Sequence, residues 1–191
     1  MTRVISYLFD DYASAREAVT ALHGAGFSSS EVSLVASNSD KRYSEEDVHS
    51  GAATGAGVGG AVGAGAGILT ALGVMAIPGL GPLVAAGVLA TTLTTTAAGA
   101  AAGGLIGSLT QYGVDESDAH VYAEGIRRGG TLVSVRADDE RAAKAEAILE
   151  RFAPVDTRAR RDYYAQSGWK SYDPKAAAYN AEEIKRERNS Y

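Results

Sequence analysis

The chain has no cysteine, which removes disulfide frameworks and thiolate chemistry and suits a reducing compartment. Bulky side chains are scarce as well: its 191 residues include three Phe, two Met and one Trp, while Ala leads the 46% that are hydrophobic and 23 Gly are added to them. Small side chains bury little area each, so packing has to rely on close backbone approach. An excess of positive charge is also lacking. A formal charge of -5 and a pI near 5.2 exclude a chain-wide nucleic-acid footprint. Residues 1–10 carry one Arg before Asp10 and Asp11, without the charged start, apolar core and cleavage site of a secretory leader. The expected location is therefore cytoplasmic.

The most conspicuous absence lies in the middle. From 48 to 114 there is no Lys, Arg, Asp or Glu. On either side of this stretch the sequence reads as alternating strands and helices. The apolar run at 4–9 reads as a buried strand, with Ile5, Tyr7 and Phe9 on one face and Val4 and Leu8 on the other. Asp10 or Asp11 then caps a helix carrying Tyr12, Ala15, Val19 and Leu22, which Gly24 and Gly26 stop, and 32–36 reads as a second strand. After the charge-free stretch, Asp115 caps a helix with Ala119, Tyr122, Ala123 and Ile126 on one side, and Gly129-Gly130 ends it. A strand at 131–136, a helix capped by Asp138 with Ala145, Ile148, Leu149 and Phe152, and a short strand at 153–157 complete the order. The predicted fold is α+β, a small ferredoxin-like plait (βαβ-αβαβ) with helices on one face of the sheet. Because the first strand is apolar on both faces, it is either a central strand or covered on its second face by a partner or by the inserted stretch.

The insertion itself breaks once, at Pro78-Gly79-Leu80-Gly81-Pro82, where a hairpin turn is expected. Two helical arms are predicted, 51–77 and 83–109, each about 40 Å long at 1.5 Å per residue. In the first, Gly51, Gly55, Gly59, Gly63 and Gly67 recur every four residues; in the second, Gly87, Thr91, Thr95, Gly99, Gly103 and Gly107 do the same. Such a period lines one helix face with a groove into which a second helix fits at backbone contact distance. Glycine in a helix costs roughly 1 kcal/mol relative to Ala, so the arms need packing partners to persist. Length and lack of charge suit membrane helices, whereas the acidic flanks Glu45, Glu46, Asp47, Asp115, Glu116 and Asp118 and the apolar tip do not suit a full span. A hairpin dipping into lipid and one buried in a soluble homo-oligomer or filament both remain open.

Gly55-Ala56-Gly57-Val58-Gly59-Gly60 matches G-x-G-x-x-G but follows no strand and has no acidic residue at the ribose position. His23, His49 and His120 lack metal-ligand spacing. The carboxylates sit mainly at helix starts, where capping accounts for them, and no nucleophile with its base is identifiable. No enzyme activity, cofactor, metal or small-molecule substrate is expected. The segment 157–191 is the basic part, with eight Lys or Arg against five Asp or Glu. Its Arg158, Arg160, Arg161, Tyr163, Tyr164, Trp169, Lys170, Tyr172, Tyr179 and Tyr191 form either a single-stranded nucleic-acid or headgroup surface or an arm docked on its own domain or a neighbour. Glu182, Glu183, Lys185, Arg186 and Glu187 suit a short charged helix within it.

The opening strand at 4–9, the Gly/Ala hairpin and the run from Tyr122-Ala123-Glu124-Gly125-Ile126 through Arg127-Arg128-Gly129-Gly130-Thr131-Leu132-Val133 together resemble the bacterial general stress protein 17M-like family, also described as heat-induced or low-temperature-induced stress proteins. The resemblance covers about 1–156 and implies a stress-response role without an established activity. The chain thus divides into 1–47 and 115–156, the halves of one α/β domain, 48–114, the glycine-zipper hairpin, and 157–191, the C-terminal arm. The expected function is self-association at or in the cytoplasmic membrane, the alternatives being a soluble oligomer or a ligand-binding regulatory module.

Overall fold

A computed structural model describes residues 2–39, 73–77, 80–87, 89, 103–111 and 113–190. Its architecture is mixed α+β, with an antiparallel sheet and helices on both faces. β1 (Thr2–Phe9), α1 (Tyr12–Gly24) and β2 (Val32–Ser37) come first, followed by β3 (Gly73–Ile77) and β4 (Gly81–Ala86). Then come α2 (Gly103–Gln111), α3 (Glu116–Arg127), β5 (Thr131–Asp138), α4 (Asp139–Glu150), α5 (Thr157–Gln166) and α6 (Ala181–Arg188). The acidic caps Asp11, Asp115 and Asp138 fall where expected, and Asp156, expected within a strand, is a fourth: each accepts a backbone N–H of the helix that follows.

The sheet order is β1-β5-β2-β4-β3, and every neighbouring pair is antiparallel. β1 and β2 are therefore parallel to one another with β5 between them. Apolar residues on alternate positions serve two cores. Ile5, Phe9, Leu34, Val84, Val133 and Val135 meet α1 and α4 on one face, through Ala15, Val19, Leu22, Ala142, Ala145 and Leu149. Leu8, Val35, Leu83, Ala85 and Leu132 meet α2 and α3 on the other, through Leu105, Leu109, Ala119, Tyr122, Ala123 and Ile126. The doubly apolar β1 is thus explained by the chain itself, and the expectation of helices on one face only is corrected.

The larger correction concerns the insertion. The segments on either side of its tip are antiparallel strands rather than helices. Ile77 pairs with Gly81 and Gly73 with Ala85, and β4 also pairs with β2, Leu34 opposite Ala86. In β4, Leu83 and Ala85 enter one core while Val84 and Ala86 enter the other, so a run that is apolar throughout fits a strand buried on both sides. Periodicity alone does not separate that case from a buried helix. Gly87, assigned to the helical groove, instead ends β4 with φ +80, and a Cβ there would lie 2.1 Å from the Val32 carbonyl oxygen. Only glycine combines that dihedral with that approach. The short strand expected at 153–157 is not formed. Ala153 has φ 49, Val155 donates a single backbone bond to the Leu8 carbonyl at 2.8 Å, and Thr157 already opens α5.

Candidate functional site

The densest polar arrangement in the described residues lies where α3 ends and the C-terminal arm lies down on it. Helical spacing sets Glu124, Arg127 and Arg128 on one side of the last turn of α3. Glu124 is 1% exposed. It accepts from Arg127 Nε at 2.9 Å and Nη2 at 2.5 Å, and from Arg128 Nε at 2.6 Å. Arg128 also donates Nη1 to Glu187 of α6 at 2.5 Å. Its guanidinium carbon stands 4.2 Å from the centre of the Tyr164 ring, and that of Arg127 stands 4.8 Å from Tyr179. Planar cations between carboxylates and aromatic faces are a setting that guanidinium fills and ammonium does not.

Two close approaches complete the seat. Gly129, at φ +96, leaves room for Ile184, whose Cγ2 would be 2.3 Å from a Cβ, and the Gly129 carbonyl accepts from Arg188 Nη2 at 2.8 Å. Gly81, at the start of β4, faces the Ala178 methyl, 2.7 Å from where its own Cβ would stand. Asn180 opens α6 through a capping box with Glu183, which satisfies the first backbone N–H groups of the short helix. Further back along the arm, Arg160 makes two bonds to Asp10 at 2.7 and 2.8 Å, and Arg161 reaches Asp118 at 2.6 Å.

Electrostatically this is a compensated site. Burial alone disfavours the charged form of Arg128, but its bonds to Glu187 and Glu124 outweigh that and raise its pKa above the usual arginine value. Arg127 is raised in the same way, burial opposing and Glu124 prevailing. An isolated buried carboxylate costs several kcal/mol, so Glu124 depends on both cations. Chemically, such a site holds a segment in place; its polar atoms are turned on one another.

A separate open groove of about 840 Å³ runs past Tyr7, Asp118, Glu150, Asp156, Arg158 and Arg161. There the Tyr7 hydroxyl donates to Glu150 at 3.2 Å, and burial followed by the Glu150 charge pushes its pKa up to about 12. His23 Nδ1 lies 2.8 Å from the Phe27 carbonyl, and His120 Nε2 is 4.0 Å from Glu116. Among the described residues no group of three or more His, Cys, Asp or Glu is arranged to hold a metal.

The glycine positions assigned to helix packing fare differently. Gly51, Gly55, Gly59, Gly63, Gly67 and Gly99, with Pro78 and Gly79 of the turn and His49, lie outside the described residues. Gly81 and Pro82 open β4, and Gly87 is the strand end already corrected. Gly103 begins α2, and Gly107 lies on its exposed side with nothing within 4 Å of a Cβ. The basic, aromatic arm does not offer a stacking surface along its length: Tyr164 is 0% exposed and Tyr172 is buried in the second core. The docked arm was among the sequence expectations, but its seat was not. The signal was Glu124, Arg127 and Arg128 at helical spacing within the run that carried the family resemblance. Compared with known families, curated proteins and solved structures, the chain matches none.

Proposed function

We propose that this chain is a non-enzymatic stress-response protein of the general stress protein 17M-like kind, in which a ferredoxin-like plait carries a glycine-lined, self-associating segment. Support for the plait comes from β5 lying between the parallel β1 and β2, with α1 and α4 on the same face. The self-association reading is carried by α2. Leu105, Ser108 and Leu109 turn into the chain, while Gly107, one member of the four-residue glycine row, turns outward to open space. A glycine turned away from its own core leaves room for a second helix to approach there.

Assembly of copies is preferred to lipid contact. Leu80, Leu83, Val84, Ala85, Ala86 and Leu89, the apolar run placed at the tip of a lipid-dipping hairpin, are buried in this chain's own cores. Among the described residues no helix is long and apolar enough to cross a membrane.

Gly107→Leu tests the reading, because its side chain enters open space and leaves the fold intact. The expected result is a smaller particle by light scattering with an unchanged circular dichroism spectrum. An unchanged particle size refutes the role of this row.

A further inference from the structure

We propose that two copies of the chain pair edge to edge along the outer side of β1, antiparallel and with Val4 opposite Val4, so that their sheets join into one. This contact is separate from the glycine row on α2 and does not rest on it. β1 stands at one end of the sheet order, with β5 as its strand neighbour. The Ser6 carbonyl accepts from the Tyr122 hydroxyl and the Leu8 carbonyl from the Val155 N–H, so the even positions of β1 turn away from β5. Thr2, Val4 and Ser6 therefore aim their N–H groups outward, and among the described residues no backbone group pairs with them. Past Ser6 the edge is closed by Val155. The open stretch is thus 2–6, and Val4 is its centre.

Proteins blunt an edge strand with lysine, proline, a bulge or a covering segment. β1 contains no lysine or proline, and its register with β5 runs unbroken from Thr2 opposite Asp138 to Phe9 opposite Thr131. Beside the edge, the second face of the sheet is left as an open recess of about 530 Å³ bounded by Thr2, Val4, Arg136 and Asp138, where Val4 is half-buried. A dyad at Val4 brings the two Val4 side chains together on that face and sets each Thr2 beside a Ser6. Val4 then exchanges backbone bonds with its counterpart, and Thr2 with Ser6 on either side. Charge selects a second copy as the occupant. On the other face α4 brings two carboxylates over β1: Glu146 bonds Arg3 at 3.0 Å, and Glu150 accepts from Tyr7. Burial, then the charges of Glu150 and Glu146, raise the Tyr7 pKa, so both carboxylates stand near its hydroxyl. Arg3 is the one cation that β1 supplies to them. The dyad places the second copy's Arg3 opposite Ile5, between Arg3 and Tyr7, and so gives the two carboxylates a second cation.

Val4→Pro tests the pairing in the full-length protein. The chain's own sheet does not use the Val4 N–H, and proline is tolerated on an edge strand where that group faces out, so the fold stays. Chains with and without Val4→Pro are compared in a Gly107→Leu background, which separates this contact from the row on α2. The expected mass by light scattering is that of two chains with Val4 and of one with Pro, at an unchanged circular dichroism spectrum. In the paired form the amides of Val4 and Ser6 should exchange about ten-fold or more slower than on dilution to single chains, while those of Ile5 and Tyr7, bonded to β5, stay slow throughout. A single-chain mass at every concentration overturns the proposal, as does a two-chain mass that Val4→Pro leaves unchanged. Neither result touches the row on α2, whose own test compares Gly107→Leu with the wild-type chain. Should Val4→Pro fail to fold, Arg3→Glu takes its place. Arg3 is exposed, and the change sets a carboxylate against Glu146 and Glu150 of the second copy, for a dimer weakened by about ten-fold or more; an unweakened dimer overturns the proposal.

Discussion

Arg128 on α3 and Glu187 on α6, 59 positions apart in the chain, meet at 2.5 Å, and the same guanidinium also bonds the buried Glu124. One cation therefore joins the C-terminal arm to the sheet-covering helix, and its two carboxylates are not independent of each other.

Removing that cation should cost more than removing either bond. Arg128→Ala leaves Glu187 facing an empty seat and Glu124 with Arg127 alone, for an expected loss of about 3 kcal/mol. For a chain of this size that lowers the melting temperature by roughly 6–12 °C, read by circular dichroism. Glu187→Gln keeps a hydrogen-bond acceptor and should cost about 1 kcal/mol. A change below about 0.5 kcal/mol for Arg128→Ala would mean that the arm is not seated in solution.

Acid stability should carry the signature of Glu31. Bonds from the Ser28 backbone and from Arg141 lower its pKa from 4.5 to about 2. A depressed carboxylate contributes stability that is present above its unfolded pKa and lost as pH falls through the folded value. Glu31→Gln should therefore reduce the urea midpoint at neutral pH and flatten its fall between pH 4.5 and about 2. Parallel wild-type and variant curves through that window would contradict this.

Two glycines with nearly the same dihedral should respond very differently to alanine. Gly87 has φ +80 with backbone of Val32 and Ser33 inside 3 Å of a Cβ, whereas Gly168 has φ +83 with open space around it. Gly168→Ala should cost only the strain of about 1 kcal/mol. Gly87→Ala adds a clash with β2 that no flexible side chain can absorb, so it should yield insoluble protein or a loss of more than about 3 kcal/mol. Equal denaturant midpoints for the two would show that β4 does not end as described.

The β3–β4 hairpin should behave as core. Leu83 is fully buried, and Leu83→Ala should cost about 2–5 kcal/mol in buffer without detergent or lipid. A stability unaffected by the change would return the tip of the insertion to the surface.

Much of the fold was legible because its signals are local. The caps Asp11, Asp115 and Asp138 and the helical spacing of Ala15, Val19 and Leu22 act within one or two turns, and all of them recur in the structure. The arm's short charged helix was equally visible from Glu182, Glu183, Lys185, Arg186 and Glu187, whereas its Asn180–Glu183 capping box, though a four-residue pattern, was not read. The β3–β4 hairpin was misread because Leu83, Val84, Ala85 and Ala86 have no polar side, and a segment with none satisfies a helix and a doubly buried strand alike. The seat was half legible. Glu124, Arg127 and Arg128 share a helix face by spacing, but nothing local points to Glu187 or Ile184.

The sequence by itself determined the capped helices, the two-faced apolar strand and the break in the insertion at 78–82, since these follow from nearest-neighbour sterics, periodicity and hydrogen-bonding side chains. Tertiary structure decided that the insertion's tip adds two strands to the sheet and that Arg128 bridges Glu124 and Glu187. Both depend on which surfaces remain unburied once the first strands pair, and burial is a property of the whole chain.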